Sequence, residues 1–216
     1  MKIYTYHRTI EAGFDDPVLM SIWRESWTRR GFDPQTLGPA DAAAHPRFRE
    51  LEHANGLFTS DIGLRQYVSA CYERWFAFAV AARRDGGPTL TGDWDVVNYG
   101  FTPSELLSEG LGGRIKHLSG SATPCLVYGT PEQYDAVIDL FFEYARNPHR
   151  NTASLQEAVH DQNILDAYPD RWISVPFVVE YPQPGWDSRS LVHYPHGRLY
   201  FPGGRGEKIR QLRPLM

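Results

Sequence analysis

Residues 86–96 of the chain read GGPTLTGDWDV, and this stretch indicates both a fold class and a candidate site. The glycine pair and Pro88 end a long helical segment. The apolar residues that follow predict a buried strand, which runs into a loop at the acidic residues Asp93 and Asp95. We therefore expect these two side chains at the carboxyl end of a strand, where α/β sheets bind their ligands.

The spacing of Asp93 and Asp95 favours a metal ion. On an extended chain, side chains two positions apart point the same way, so the two carboxylates would repel each other. Mg²⁺ or Mn²⁺ relieves this repulsion, because these cations prefer carboxylate and phosphate oxygens. A bound cation can also bridge to a diphosphate and stabilise charge on a leaving group. Because such aspartate pairs also occur by chance on solvated loops, the prediction depends on the position after a buried strand.

Strand and helix patterns alternate over the rest of the chain. Strands are predicted at residues 2–7, 34–40 (with a turn), 113–128 (as two strands) and 172–181, and residues 89–98 are predicted as a strand that runs into a loop at the acidic residues. Helices are predicted at residues 17–30, 41–55, 61–84, 103–111, from 131 onward and at 154–168. Gly56 would stop the second of these helices, and Pro46 would lie in its first turn or break it. Pro176 inside the last strand indicates a sheet edge or a bulge. The alternation predicts an α/β protein with helices packed on a mostly parallel sheet.

Composition and charge exclude several classes of protein. Hydrophobic residues make up 42% and charged residues 22% of the 216 residues, which is typical of a globular protein. The formal net charge of −4 excludes a uniformly basic surface for nucleic acid. The two cysteines, Cys71 and Cys125, are too few for a disulfide scaffold and do not form a zinc-binding C-x-x-C pair. Because neither a membrane-spanning apolar run nor a signal-peptide pattern occurs, we expect a cytoplasmic protein.

Four segments, in order, resemble GT-A-fold glycosyltransferases with a D-x-D motif, such as the capsular-polysaccharide and mannosyl-type enzymes. Residues 86–96 resemble their yGGxYxDxDv segment, and the opening strand with Ser26-Trp27 resembles their start. Residues 160–165, HDQNIL, resemble the DQxxLN segment of glycogenin-type and galactosyl-type transferases. Residues 192–197, VHYPHG, resemble a C-terminal HxxG segment whose histidine completes the metal site.

The resemblance implies one GT-A-like α/β domain over residues 1–216, with a mostly parallel central sheet and helices on both faces. Residues 1–100 would form the nucleotide-binding half, and residues 101–216 the acceptor-binding half with a C-terminal covering loop. The implied activity is metal-dependent transfer of a sugar from a UDP- or GDP-sugar, with Mn²⁺ or Mg²⁺ as cofactor. The acceptor would be a hydroxyl group of a glycan, a small molecule or a modified nucleobase in DNA.

The resemblance also implies roles for particular residues. The metal ligands would be Asp93, Asp95 and His193, with His196 as the alternative to His193. The catalytic residues beside the donor sugar would be Asp161 and Gln162. The nucleotide diphosphate would contact Asp93 and residues near both ends of the chain, namely Tyr4, Tyr6, His7, Arg205 and Lys208. The family motif also has an arginine in the helix before the glycine pair, and Arg74 stands about one turn too early for it, so that arginine is left unassigned.

Other interpretations of these residues stay open. Asp161 and Gln162 could be solvated helix residues, and histidines in polar loops are more often solvated than bound to metal. The basic residues from Arg198 to Arg213 could form a solvated end, a diphosphate site or a contact to a nucleic-acid acceptor. The same carboxylates could serve a nucleotidyl- or phosphotransferase, or the fold could be a non-catalytic module that binds a nucleotide or a glycan.

Overall fold

The computed structural model describes residues 1–10, 16–58, 62–108, 114–119, 123–146, 160–195 and 205–215. Within these residues the strands form one eight-stranded sheet. In chain order the strands are β1 (Lys2–Tyr6), β2 (Asp33–Leu37), β3 (Thr89–Gly92), β4 (Val96–Asn98), β5 (Ile115–Ser119), β6 (Leu126–Gly129), β7 (Trp172–Glu180) and β8 (Leu191–His193). Their order across the sheet is β2-β1-β3-β6-β5-β7-β8-β4.

The pairing of these strands is mostly parallel. β1 is parallel to β2 and β3, and β7 is parallel to β5 and β8. β6 runs antiparallel to β3 and β5, and β4 runs antiparallel to β8. All strands except β4 and β6 therefore run in one direction, and their carboxyl ends form one edge of the sheet. The predicted α/β fold with a mostly parallel sheet is confirmed.

Helices cover both faces of the sheet, as the alternating side chains of β1 indicate. Tyr4 and Tyr6 belong to a core with the helices α4 and α6, whereas Ile3 packs with Trp23 and Trp27 of α1. The helices are α1 (Pro17–Thr28), α2 (Pro39–Ala43), α3 (Phe48–Phe58), α4 (Ile62–Asp85), α5 (Pro103–Ser108), α6 (Pro131–Arg146), α7 (Asp161–Asp166) and α8 (Arg205–Leu212). In the described part of the chain, no helix has the length and apolar character needed to cross a membrane.

The sequence left two alternatives for Pro46 in the helical segment over residues 41–55, and the structure shows the break, whereas the predicted stop at Gly56 is wrong. The segment is divided between α2, which ends at Ala43, and α3, which begins at Phe48. Pro46 lies in the break, because its ring and missing N–H do not fit a helix interior. α3 also continues past Gly56 to Phe58, since one glycine weakens a helix without ending it.

Pro176 lies inside the sheet, because β7 is placed between β5 and β8. His117 of β5 pairs with Ser174, and Ser119 pairs with Val178, so β7 advances four residues where β5 advances two. This irregularity is the bulge that the sequence offered as one alternative, and the edge position is excluded. A bulge accommodates a proline because the ladder is interrupted there.

The end of the chain contributes a helix to the site. Of the predicted C-terminal loop, residues 196–204 lie outside the described residues, and the flanking residues form β8 and α8. A side-chain carbon at Gly206 would lie 2.5 Å from the backbone nitrogen of Leu19, so α8 and α1 touch through their first turns. Asp16 joins both helices, because one carboxylate oxygen accepts from the Leu19 nitrogen at 2.9 Å and the other from the Gly206 nitrogen at 2.8 Å. Arg205 is thereby held at the sheet edge.

His117 is a buried imidazole that predicts acid sensitivity. Its side chain is 0% exposed, stacks on Trp172 at 4.6 Å between ring centroids, and has no hydrogen-bond partner among the described residues. Burial lowers the pKa of His117 to about 4. Below about pH 6.5 the unfolded chain therefore binds a proton at this imidazole that the folded chain does not bind. The unfolding free energy consequently falls as the pH decreases toward 4.

We expect the wild type to lose about 2 kcal/mol more unfolding free energy than His117→Phe between about pH 8 and pH 5. Phenylalanine keeps the stacked ring but cannot be protonated, and urea denaturation at the two pH values measures the difference. His53→Phe, which changes an exposed imidazole, is the matched control and should retain the wild-type pH dependence. Equal pH dependence in the wild type and His117→Phe would contradict this account of His117.

Candidate functional site

The candidate site is assembled by strand pairing immediately after the D-W-D triplet. The backbone nitrogen of Asp93, just past β3, donates to the carbonyl of Cys125 at 2.8 Å. The chain then turns into β4, whose first residue, Val96, pairs with His193 of β8. The nitrogen of Tyr194 donates to the carbonyl of Asp95 at 3.0 Å. These contacts bring a histidine from the far end of the chain beside the two aspartates.

Asp93, Asp95 and His193 form a cluster that could hold a metal ion. One ligand atom from each residue lies within 4.8 Å of the others. His193 Nε2 lies 3.5 Å from Asp95 Oδ1, and both residues are buried. Asp95 Oδ1 is itself buried and has no hydrogen-bond partner among the described residues. A buried carboxylate oxygen without a donor fits a cation, and two carboxylates with one imidazole suit Mn²⁺ or Mg²⁺.

The two aspartates differ in their electrostatic surroundings. Burial alone would raise the pKa of Asp95, but His193 and Arg205 outweigh burial and hold the pKa well below its usual range. Burial raises the pKa of Asp93, and Asp95 adds to this effect while Arg74 opposes it. Asp95 is therefore the better anion of the pair at neutral pH, and a cation between them would favour the ionised form of both.

Arg74 of α4 joins the metal cluster to Asp161 of α7. Its Nη1 donates to Asp93 Oδ1 at 2.5 Å, while Nε and Nη2 donate to Asp161 Oδ2 at 3.0 and 2.5 Å. Trp75 Nε1 donates to the same oxygen of Asp161 at 2.7 Å, and the backbone nitrogen of Gln162 donates to Asp161 Oδ1 at 2.9 Å. Because Asp161 is 3% exposed, this carboxylate is satisfied almost entirely by the protein.

Arg205 of α8 approaches Asp95 from the other side. Its Nη1 donates to Asp95 Oδ2 at 2.8 Å and to the carbonyl oxygen of Tyr194 at 3.2 Å. The guanidinium carbon lies 5.1 Å from the ring centroid of Trp94, which in turn meets His7 edge to face at 6.0 Å. The two aspartates of the triplet are therefore paired with different arginines, Asp93 with Arg74 and Asp95 with Arg205.

A cavity of about 120 Å³ opens onto this cluster. The end of β1, one face of α4, the D-W-D triplet and the start of α8 form its walls. The polar and aromatic lining residues are Tyr6, His7, Arg8, Tyr67, Cys71, Arg74, Asp93, Trp94, Asp95 and Arg205. The cavity thus combines flat aromatic rings, three arginines and two carboxylates at the carboxyl edge of the sheet.

Most of the residues predicted as site residues meet at this cavity. Asp93, Asp95, Tyr6, His7 and Arg205 line it, His193 adjoins it through Asp95, and Asp161 adjoins it through Arg74. Besides His193 and Asp161, which only adjoin the cavity, three further predicted residues lie outside its lining, namely Tyr4, Gln162 and Lys208.

Tyr4 lies outside the lining because its hydroxyl donates to Asp85 at 2.7 Å, at the opposite end of α4. Gln162 and Lys208 are half-buried on α7 and α8. His196, the alternative ligand to His193, lies outside the described residues.

Several lining residues were not predicted as site residues, although Arg74 had been considered and left unassigned. Tyr67, Cys71 and Arg74 are four and three positions apart, which places them on one helix face, and this spacing was a usable signal. No role was predicted for Trp94, because the D-x-D motif leaves its middle position unspecified. Arg8 follows β1 and its Nη1 donates to Glu73 at 2.5 Å, a long-range contact that no local pattern indicates.

The described fold is similar to solved glycosyltransferase structures at low sequence identity. Mouse xyloside xylosyltransferase 1 in its apo form matches 93% of this chain and 100% of its own, with 8% identity and a TM-score of 0.57. An active-site mutant of LgtC matches 98% and 95% of the two chains, with 12% identity and a TM-score of 0.53. The galactosyltransferase LgtC with donor and acceptor sugar analogues matches 90% and 87%, with 11% identity and a TM-score of 0.50.

These likenesses show that the chain has the GT-A fold, which confirms the fold class predicted from the sequence. No protein-family model and no curated protein matches the chain.

Proposed function

We propose that this protein is a metal-dependent glycosyltransferase that moves a sugar from a nucleotide-diphosphate sugar to a hydroxyl acceptor. The observation that carries the proposal is the cluster of Asp93, Asp95 and His193 beside a cavity at the carboxyl edge of the sheet. Within the described residues, Oδ1 of Asp95 in this cluster is buried and has no hydrogen-bond partner. The likeness to a xylosyltransferase and to a galactosyltransferase supports this choice among the functions that such a cluster could serve.

The metal would be Mn²⁺ or Mg²⁺, held mainly by a carboxylate oxygen of Asp95 and by Nε2 of His193, with Asp93 as a ligand that contacts it directly or through water. A bound cation would supply positive charge to the departing diphosphate. His193 is suited to ligation through Nε2, because that nitrogen faces Asp95 Oδ1 while Nδ1 faces Glu180 Oε1 at 3.5 Å. A carboxylate behind a ligating imidazole fixes the ring orientation and its tautomer.

The nucleotide would lie in the cavity with its base near the end of β1. Tyr6 and His7 provide aromatic surfaces there, and Trp94 adds a third ring beside the diphosphate position. Asp93 would contact the ribose, or the metal through water, and Arg205 would neutralise the diphosphate. The support for Tyr4 and Lys208 is weaker, because neither lines the cavity.

The donor sugar would lie beside Asp161 and Gln162. The Asp161 carboxylate already accepts hydrogen bonds from Arg74, Trp75 and the Gln162 backbone, so its oxygens are engaged and it is suited to a fixed anchor for the sugar. This favours a course in which the configuration at the sugar is retained and the leaving phosphate takes the acceptor proton. An inverting course would need a free carboxylate base at the cavity.

The acceptor-binding half is proposed to be residues 101–216, with the nucleotide-binding half at residues 1–100, in a cytoplasmic protein. A nucleic-acid acceptor receives little support from Arg213, which follows α8. Arg213 donates to the carbonyls of Trp186 and Arg189 and stacks on Tyr99, so its charge is already engaged. We therefore favour a glycan or small-molecule hydroxyl as acceptor.

Product analysis with a panel of nucleotide sugars and Mn²⁺ tests the proposed function. We expect one donor to release a nucleoside diphosphate and transfer its sugar. Release of pyrophosphate would instead indicate a nucleotidyltransferase. Binding without release of either product would indicate a non-catalytic module.

A further inference from the structure

We propose that Arg205 is a resident counter-ion of Asp95 that makes the metal ion and the nucleoside diphosphate bind cooperatively. This inference rests on the proposed function, and it assigns to one positioning residue the coupling between the two ligands. In this account Arg205 weakens the binding of the metal alone and turns to the diphosphate when both ligands are present.

The contacts of Arg205 divide Asp95 into two different oxygens. Oδ2 accepts from the guanidinium at 2.8 Å, while Oδ1 has no hydrogen-bond partner among the described residues and faces His193. Arg205 therefore leaves one oxygen of Asp95 to a cation and occupies the other. The guanidinium also places a positive charge in contact with the same carboxylate that would ligate the metal, which opposes metal binding by direct repulsion.

The backbone of Arg205 cannot retreat from the site. The adjacent Gly206 lies against the backbone of Val18 and Leu19, and its nitrogen is held by Asp16 at 2.8 Å. The side chain of Arg205 is buried and lines the cavity, so only its guanidinium can change partners. The charge consequently stays at the site, and it must be satisfied there by Asp95 or by an incoming anion.

A diphosphate is a better partner for this guanidinium than one shared carboxylate oxygen. Phosphate oxygens accept paired hydrogen bonds from arginine and carry more charge than a carboxylate. When a diphosphate draws Arg205 away, Asp95 is released to the metal. By linkage, the metal then raises the affinity for diphosphate by the same factor by which diphosphate raises the affinity for the metal.

Calorimetric titration of the full chain tests this inference. Mn²⁺ is titrated alone and in the presence of UDP or GDP, into the wild type, Arg205→Met, Arg205→Gln, Arg205→Lys and Arg210→Met. Methionine keeps the apolar stem without the charge. Glutamine keeps a donor for Asp95 without the charge and serves if the methionine variant does not fold. Lysine retains the charge, and Arg210 is an exposed arginine of the same helix outside the cavity.

We expect Arg205→Met and Arg205→Gln to bind Mn²⁺ alone about tenfold more tightly than the wild type. Both changes remove the positive charge that contacts the Asp95 carboxylate and repels the cation. The increase in Mn²⁺ affinity caused by the diphosphate should shrink by a similar factor. Arg205→Lys keeps the charge but not the paired donors, so it should bind Mn²⁺ alone as weakly as the wild type. Arg210→Met should remain close to the wild type in both titrations.

Two outcomes would overturn the inference, and they are distinguishable. If the wild type binds Mn²⁺ and diphosphate but the charge-removing variants bind Mn²⁺ no more tightly, the inference fails and the proposed function stands. If the wild type binds neither Mn²⁺ nor any diphosphate, the proposed function fails and the inference fails with it.

Discussion

Replacing Asp95 with asparagine is expected to abolish Mn²⁺ binding and to lower sugar transfer by about a thousandfold or more. Asp95 is the carboxylate with the depressed pKa. Its buried Oδ1 faces His193 and has no hydrogen-bond partner among the described residues. An asparagine side chain has nearly the same shape but no charge, so the ligand is lost while the packing around β4 and β8 is kept. Mn²⁺ titration and single-turnover rates with the active donor measure the two effects.

Asp187→Asn is the matched control for this substitution, because Asp187 is exposed and lies outside the cavity lining. It makes the same chemical change and should leave both metal affinity and transfer at wild-type values. Circular dichroism of Asp95→Asn verifies the fold. A folded Asp95→Asn protein that transfers sugar within threefold of the wild type would rule out Asp95 as a metal ligand for the reaction.

Replacing Arg74 with methionine is expected to lower the unfolding free energy by about 3 kcal/mol, since it leaves the buried Asp161 carboxylate without its positively charged partner. The Arg74 side chain lies between Asp93 and Asp161 and is 11% exposed, and the Asp161 side chain is 4% exposed. Trp75 and the Gln162 nitrogen still donate to Asp161 in the variant, but neither supplies a positive charge. Urea denaturation measures the loss.

Two further variants separate the uncompensated charge from lost packing. Arg47→Met removes an arginine from a network with Glu50 and Asp139 that is exposed, and it should lose about 1 kcal/mol or less. Asp161→Asn in the Arg74→Met background removes the unpaired carboxylate charge and should recover part of the stability. If Arg74→Met lost less than about 1 kcal/mol of unfolding free energy, the proposed role of Arg74 as the counter-charge of Asp161 would be contradicted.

Local patterns predicted the parts of the fold that local chemistry determines. The predicted start of a helix at residue 17 is confirmed, because Asp16 caps α1 and Pro17 is its first residue, which are positions that these residue types favour. The D-W-D triplet follows a buried strand, so the position of Asp93 and Asp95 could be inferred from a few neighbouring residues. Pro46 indicated either a first turn or a break, whereas the continuation of α3 through Gly56 was less predictable, because tertiary packing decides whether a weak helix residue is tolerated.

The geometry of the site depends on contacts between distant segments, which local sequence patterns do not predict. His193 reaches Asp95 only because β4 pairs with β8, and Arg205 reaches Asp95 only because α8 packs on α1. The sequence indicated both residues through a family resemblance, without a geometry. Arg74 was left unassigned because its place in the helix pattern was one turn off, whereas its two carboxylate partners lie on other elements. Tyr4 shares a face with Tyr6, but the position of Asp85 draws its hydroxyl away from the cavity.

The central claim is that this cavity binds a nucleoside diphosphate through a metal ion held by Asp95. The most direct test is thermal unfolding with each of the common nucleoside diphosphates, with and without Mn²⁺, in the wild type and in Asp95→Asn. A ligand at a hundredfold excess over its Kd stabilises the folded state by about 2.7 kcal/mol, which is readily measured. We predict that at least one diphosphate raises the wild-type midpoint only when Mn²⁺ is present, and that Asp95→Asn abolishes the rise. No rise with any diphosphate, or an equal rise in Asp95→Asn, would contradict the claim.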